Sequence, residues 1–330
     1  MMNQRRYAVL GAGMAGLSCA VTLAQAGHRV LILDKGRRPG GRVATRRLEG
    51  ATFNHGAQFA SVQGPAFASL TADLVAAGTL AAWPAAGGRL VGVPGMSALP
   101  SALAGAAEHL GAHLVMARHA AFLHRAADGW HVRHMPAETM RPGAVSDIGG
   151  QHDGPFDAVL VTLPAPQAAA LLATVPGCAL AARAGEAKLS PCWAVMAIFD
   201  TPVTAKDVWR GEDAVVAWAA REGSRPGAPD GPERWMLHAA AGWSAAHLEH
   251  DAEDVTAEVL GAFQAMVGAP APIYAAAHRW RHAQVAAPLG VACLWDQAGI
   301  GAAGDWCIGP RAEAAFDSGR ALALAAMAGA

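Results

Sequence analysis

The fold is decided by residues 7–34, YAVLGAGMAGLSCAVTLAQAGHRVLILD. Tyr7-Ala8-Val9-Leu10 is a short apolar run suited to a buried strand, and Gly11-Ala12-Gly13-Met14-Ala15-Gly16 is a glycine-rich turn. Leu17 to Ala26 has helical composition and Gly27 stops it, and Arg29 to Leu33 is a second apolar strand ending at Asp34. Each glycine has a task in such a unit. Gly11 permits the tight turn, Gly13 lets the backbone approach a pyrophosphate, and Gly16 lets helix and strand pack closely. The N-terminus of the helix that follows the turn presents free N–H groups and a positive dipole end to phosphate. Asp34 stands at roughly the 20-residue spacing at which an acid accepts hydrogen bonds from a ribose diol. A bare G-x-G-x-x-G is a weak signal in a chain this rich in alanine. The strand before it, the helix after it and the acid beyond make it a dinucleotide-binding fingerprint.

Composition frames this reading. The chain has 330 residues, 53% hydrophobic and 15% charged, which argues against disorder and for two domains. A chain of this length buries roughly 75% of its unfolded surface and needs no disulfide or metal staple. Net charge is −1, against bulk nucleic-acid affinity. Lys35, Lys188 and Lys206 are the only lysines. Five widely spaced cysteines without a C-x-x-C pair read as reduced thiols in a cytoplasm. No uninterrupted apolar run reaches the ~20 residues of a membrane span. Arg5-Arg6 with the apolar stretch and Ala24-Gln25-Ala26 imitates a secretory signal, but cleavage there would cut through the fingerprint.

Along the chain, a basic glycine-rich segment (35–47) is followed by an aromatic loop (52–59) and a helix near Pro65 to Ala77. Ser97 is placed to cap a further helix. Residues 113–132 read as paired strands around Asp128-Gly129, residues 135–155 as a polar mobile loop, and Ala158 to Leu163 as a buried strand. The middle, 190–284, has the texture of short strands and holds most of the tryptophans. Ala292 to Ala303 leads into Gly304-Asp305 and one last helix. Nucleotide signals occur at both ends and not in the middle, so one domain is interrupted by another. The expected partition is 1–78, 95–166 and 285–330 for a nucleotide domain, with 79–94 and 167–284 for a substrate domain.

Two further segments add to the nucleotide site. Gly40-Gly41 permits a backbone bend near a ligand, and Arg42 can add a charge-assisted bond to phosphate. The outer arginines of that cluster read as surface. Gly304-Asp305 lies where an apolar stretch meets a helix, the place where two-part flavin sites set an Asp against the ribityl chain and a helix N-terminus toward the flavin ring.

Together these segments resemble the FAD-dependent amine-oxidase superfamily, and within it the bacterial renalase-like group. The resemblance rests on Asp34-Lys35-Gly36-Arg37, Gly40-Gly41-Arg42-Val43-Ala44-Thr45-Arg46-Arg47, Phe53-Asn54-His55-Gly56-Ala57-Gln58-Phe59 and Val93-Pro94-Gly95-Met96. It continues through Pro191-Cys192-Trp193-Ala194, Trp243-Ser244, His247-Leu248-Glu249, His278-Arg279-Trp280-Arg281, Ala303-Gly304-Asp305-Trp306, Glu313 and Ser318-Gly319. The chain departs from the group at Asn54, where an acid is expected, at His282, where a tyrosine is expected, and at Ala314, where a glycine-bearing step is expected. The resemblance implies an α/β, two-domain FAD-dependent oxidoreductase: a Rossmann-like FAD domain plus a smaller mixed β-sheet substrate domain. It implies non-covalent FAD held by Gly11, Gly13, Met14, Ala15, Gly16, Asp34, Lys35, Gly41, Arg42, Ala57, Gln58, Phe59, Gly304 and Asp305. It also implies oxidation of isomeric 2- and 6-dihydro-NAD(P) by hydride transfer to the flavin, with dioxygen as acceptor and hydrogen peroxide and NAD(P)+ as products.

A dihydropyridine is a good hydride donor, so the protein needs to position the ring and exclude water rather than supply a base. No catalytic acid or base is singled out. His55 and Gln58 are candidates to orient substrate or bond the flavin edge. On a strand, Arg279 and Arg281 share one face, and His278, Arg279 and His282 are candidates to touch substrate. Arg221 and Arg225 are candidates for a dinucleotide pyrophosphate, and Trp243 for a ring contact. His247-x-x-His250 with Glu249 is not a zinc-protease pattern, and no metal site is expected. The alternatives are an amine oxidase, whose cage Trp243, Trp280 or Trp306 would supply and whose lysine would be Lys188 or Lys206, a carotenoid-type desaturase or isomerase, and a flavin-binding protein without turnover.

Overall fold

The computed structural model describes residues 4–48, 51–211 and 213–329. The 7–34 unit folds as its pattern predicts. The strand Arg6–Leu10 pairs in parallel with Arg29–Leu33 across the helix Met14–Gln25, and on its other side with Ala158–Val161. The sheet runs, in spatial order, Leu294–Asp296, Ile300–Ala302, Ala158–Val161, Arg6–Leu10, Arg29–Leu33, His113–Val115. Only its Leu294–Asp296 edge is antiparallel. Ala8, Val9 and Leu10 and all of Ala158–Val161 are buried, as two-sided parallel strands require.

The chain thus brings its two ends to one sheet. The C-terminal helix Ala312–Ala328 lies on Met14–Gln25 through Gly319, where a Cβ would stand 1.9 Å from the Ala15 carbonyl oxygen. Ser18 Oγ donates to the Phe316 carbonyl (2.7 Å) across the same interface. The expected single last helix is two: Asp305–Ile308 ends at Gly309-Pro310, whose proline cannot continue a helix, and Ala312–Ala328 begins afresh.

Three other expectations are corrected. His113–Val115 joins the parallel sheet, and the hairpin around Asp128-Gly129 is Arg118–Ala126 with Gly129–Pro136. The segment read as a mobile loop contains a third strand, Gln151–Phe156, antiparallel to Gly129–Pro136. Its Gly and Pro content masked a strand that its partner's backbone holds. Ser97 makes no side-chain cap on the helix Ala98–His109, because its backbone is itself helical (φ −63°, ψ −13°) where a capping residue is extended, and its N–H donates to Thr45 Oγ1 (2.9 Å).

The middle of the chain holds short strands, as expected, together with two long ones. Lys188–Phe199 and Tyr274–Ala287 are long neighbours in a five-stranded antiparallel sheet ordered Val208–Arg210, Val216–Arg221, Glu233–Ala239, Lys188–Phe199, Tyr274–Ala287. Alternation splits its faces. Trp193, Val195, Ala197 and Phe199 pack with Val255, Val259 and Phe263 of the helix Ala252–Val267. Ala194 and Met196 point the other way and meet Ala51 and Phe53. That second face looks onto the segment that follows Phe53.

Candidate functional site

The glycine turn has the shape of a cradle. Gly11 sits at φ +117°. A Cβ on Gly16 would fall 1.8 Å from the Gly11 carbonyl oxygen, so only glycine closes helix onto strand here. Gly13, by contrast, has nothing within 4 Å of such a Cβ, and the Cβ of Gly41 would lie 3.8 Å from Gly13 Cα. Two glycines therefore bound open space beside the first turn of Met14–Gln25, whose N–H groups lack intrahelical partners. Asp34 accepts from the Ala12 and Gly36 N–H groups (2.6 Å each), which fixes its carboxylate beside the turn. Burial pushes its pKa up against these bonds. Next to it a cavity lined by Leu10, Leu33, Lys35, Ala120 and Leu163 opens at the carboxyl ends of the parallel strands, where doubly wound sheets take ligands.

Arg42 and Asp305 meet. The guanidinium grips the carboxylate through two bonds of 2.6 and 2.8 Å and reaches the Ala283 carbonyl at 3.3 Å. Arg42 is thus tied to the Gly304-Asp305 segment rather than left free for phosphate. Its carbonyl accepts from the Ala57 N–H (2.8 Å), and a Cβ on Gly56 would stand 2.0 Å from it, so the 54–59 segment is pressed on the Gly40-Gly41-Arg42 bend. His282 lies near Arg42 and Lys35. Its pKa is lowered by burial first and by these charges second.

Cross-strand register assembles the other wall. Arg210 pairs with Trp218, Trp218 with His238, His238 with Ala194 and Ala194 with His278, one row across five strands on the face toward Phe53. His55 is buried against this row. Its ring stands 5.0 Å from His278 and 5.1 Å from Trp280, and its carbonyl accepts from Trp280 Nε1 at 2.8 Å. Burial, reinforced by His278, Arg46 and His238, pushes the His55 pKa down to about 3. Burial pushes His238 down to about 4. His278 is lowered for the same reason. Arg46, read from sequence as surface, acts electrostatically on both His55 and His278.

Gln58 spends its amide inside the protein. Nε2 donates to the carbonyls of Asn54 (2.5 Å) and Gly56 (3.0 Å), while Oε1 accepts from Trp218 Nε1 (3.1 Å) and Arg225 Nη2 (2.5 Å). It shapes the loop rather than offering a free amide. Arg225, expected to face a pyrophosphate, is buried, bonded to Gln58 and paired with Glu222 at 3.0 Å. Glu222 in turn accepts from Asn54 Nδ2 (2.7 Å). The acid missing from position 54 thus arrives from a distant turn. Sequence reasoning missed Glu222, His238 and Trp218, because only strand pairing brings them here.

Three other candidates lie elsewhere. Arg221 is paired with Asp207 and Glu233. Arg279 and Arg281 do share a face, but it is the Trp193 face, where both bond Glu249 and Arg279 reaches the Leu248 carbonyl. Trp243 stacks on His247 at 4.0 Å. His247, His250 and Glu258 bring three ligand-type atoms within 4.8 Å of one another at the surface, although the residue spacing pointed to no metal motif.

The comparisons agree with this geometry. Residues 9–74 match an NAD(P)-binding Rossmann-like domain, and residues 80–297 match the family described as flavin containing amine oxidoreductase. The chain belongs to the flavin-containing amine oxidoreductase family. Family membership brings a flavin as cofactor. The L-amino-acid oxidase of Daboia russelii is 53% identical over 45 residues, and that of Demansia vestigiata 57% over 47. Each match covers 14% of this chain and 9% of the relative, so the chain spans only a small part of those relatives' length. Among solved structures, a protein from Exiguobacterium sp. 255-15 put forward as a protoporphyrinogen oxidase superposes with TM-score 0.74 at 15% identity, covering 99% of this chain and all of its own. Putrescine oxidase bound to putrescine gives 0.68 at 15% identity, with 98% of each chain covered. At that identity the likeness is one of fold. Among the described residues no helix is long and apolar enough to cross a membrane.

Proposed function

We propose that the chain is an FAD-dependent oxidase of 2- and 6-dihydro-NAD(P), with dioxygen as acceptor. The observation that carries this reading is the wall of His55, His238, His278 and Trp280, with the His55 ring 5.0 Å from His278 and 5.1 Å from Trp280, in which burial holds the His55 and His238 imidazoles neutral and lowers the His278 pKa. Hydride loss leaves a positive charge on the nicotinamide ring, and neutral imidazoles do not oppose it as imidazolium ions would. Trp280 bonds the His55 carbonyl, and Arg225 and Glu222 hold the Asn54–Phe59 loop, so this wall is fixed in advance of substrate. When bound, the flavin supplies the hydride acceptor.

The open space between Gly13 and Gly41 fits a pyrophosphate, and the fixed carboxylate of Asp34 fits a ribose diol. Each Asp305 oxygen keeps a lone pair beyond its bond to Arg42, which suits a ribityl hydroxyl. We assign FAD to these residues, bound without a covalent link. The corresponding partition gives the parallel sheet to FAD and the antiparallel sheet to substrate.

Amine oxidation is the second reading, favoured by the names of the relatives. The two distal lysines speak against it. Lys188 is exposed at the start of its strand opposite Ala287, and the Lys206 ammonium sits 3.8 Å over the Trp209 ring. Neither bonds the His55–Gln58 segment among the described residues. Anaerobic mixing of the yellow protein with 2- and 6-dihydro-NAD separates the readings. Bleaching of oxidised flavin, reversed by air with peroxide formed, is expected. A flavin-loaded, folded sample that stays yellow with both isomers but bleaches with amines such as putrescine overturns the first reading in favour of the second.

A further inference from the structure

With Arg221 and Arg225 spent on carboxylates, the cationic groups facing the substrate side lie elsewhere. A cleft of about 480 Å3 is bordered by Arg89, Arg210, Val208 and the Ala85–Gly87 turn, with Lys206 at its rim. The Arg89 guanidinium sits 4.4 Å over the Phe59 ring, and Arg210 lies 5.6 Å from Phe59 and 4.7 Å from Trp218. Two like charges therefore share one aromatic ring. Among the described residues neither has a carboxylate within salt-bridge distance, and none lines the cleft. Arg210 loses proton affinity through burial and then through Arg89. An anion between the two would relieve both effects.

The two aromatic rings under the arginines link the border of the cleft to the candidate active site. Phe59 follows Gln58, and Trp218 donates to Gln58 Oε1. Arg210 heads the row Arg210–Trp218–His238, so its strand lies two inter-strand spacings from His238, about 10 Å. That is about the span of a ribose with its 5′-phosphate.

We propose that Arg89 and Arg210 form a phosphate-binding site for a nucleotide at the mouth of the substrate cavity. The location of that cavity rests on the reading above, while the anion site itself rests on the two arginines and their rings. Planar guanidinium forks match phosphate oxygens in pairs, and their stacking on Phe59 and Trp218 fixes the forks in advance. The phosphate is either the substrate's own or that of a free nucleotide.

Titration calorimetry of the flavin-loaded protein with ADP and with inorganic pyrophosphate is the first test, on wild type, Arg89→Ala, Arg210→Ala and the double variant. Flavin content and Tm serve as folding controls. Binding should weaken about tenfold or more for each arginine removed and should fall with salt, while Arg183→Ala, at an exposed helical pair, leaves it unchanged. Wild type that binds neither probe, or variants that bind as tightly as wild type, overturns the site. A second arm compares KM for dihydro-NAD with KM for the phosphate-free dihydronicotinamide riboside. A rise for the dinucleotide alone, at constant kcat, assigns the site to the substrate's phosphate. Weakened ADP binding with unchanged KM supports the site and assigns it to a free nucleotide. If dihydro-NAD is not oxidised at all, the proposed activity fails while the ADP arm still decides the site.

Discussion

At the scale of single residues, Asn54 shows how an apparent departure is compensated. Its Nδ2 donates to Glu222, and its Oδ1 accepts from Thr45 Oγ1 (2.9 Å) and the Met96 N–H (2.7 Å). A second carboxylate there would face Glu222 at hydrogen-bond distance, in a buried place. Asn54→Asp should therefore lower stability by about 2–3 kcal/mol in urea unfolding. Adding Glu222→Gln restores a donor between the positions but takes the carboxylate from buried Arg225, so the double variant should lose less than the sum of the two single changes. Additive losses would show that the two side chains do not interact. The histidines make a second residue-scale prediction. In the unfolded chain an imidazole titrates near 6.5, but the fold lowers His55 to about 3 and His238 to about 4. Below pH 6.5 the unfolded state takes up protons that the native state refuses. Stability is thus complete above that pH and falls as pH drops toward 4, at roughly 1.4 kcal/mol per pH unit for each histidine. Chemical unfolding between pH 4.5 and 7.5 measures the slope, and His238→Gln should reduce it. None of this was visible in the sequence beyond His55 itself, because a histidine's environment comes from strands more than a hundred residues away.

At the scale of elements, the helix pair Met14–Gln25 and Ala312–Ala328 joins the two ends of the chain through a glycine. Gly319→Ala forces a methyl to within 1.9 Å of the Ala15 carbonyl oxygen. The C-terminal helix must then shift, at a cost of about 1–3 kcal/mol. Because Ala15 lies in the first turn beside the glycine cradle, flavin content of the purified variant should fall along with Tm. Gly261→Ala is the contrast, since a Cβ there meets nothing within 4 Å inside the helix Ala252–Val267. It should raise stability by about 0.5–1 kcal/mol and leave flavin content alone. The elements near the fingerprint were legible because one local pattern carries strand, turn, helix and acid together. The strand Gln151–Phe156 was not, since Gly154 and Pro155 hide it and Gly129–Pro136 pairs with it. The face of Arg279 and Arg281 followed from alternation. Which of the two faces met the site depended on the helix Ala252–Val267, and no local pattern reports that.

For the whole molecule, the parts proposed to hold FAD come from both ends of the chain: Gly13 and Gly41 near the start, Asp305 and the helix carrying Gly319 near the finish. In the sequence the expectation of an interrupted domain comes from the same pattern, because the signals lie at the termini and the tryptophan-rich middle carries none. A ligand spanning these parts binds only the folded arrangement. Its binding energy is therefore added to the stability of the whole fold, as RT ln(1 + [L]/Kd), about 2.7 kcal/mol at a hundredfold excess over Kd. Deflavinated protein should accordingly melt several degrees below the loaded protein, and its Tm should climb with the logarithm of added FAD. Arg42 and Asp305 make this sharper. Removing either leaves the other's charge at the junction of the Gly40-Gly41-Arg42 bend and the Gly304-Asp305 segment, so Asp305→Asn should lower the Tm of the deflavinated protein as well as flatten its response to FAD. A variant that flattens the response while leaving the deflavinated Tm unchanged would mean that Asp305 acts only on the flavin and that the bond to Arg42 adds nothing to the fold. A lower deflavinated Tm with a full FAD response would mean the reverse, that the pair holds the two ends together and the ribityl contact lies elsewhere.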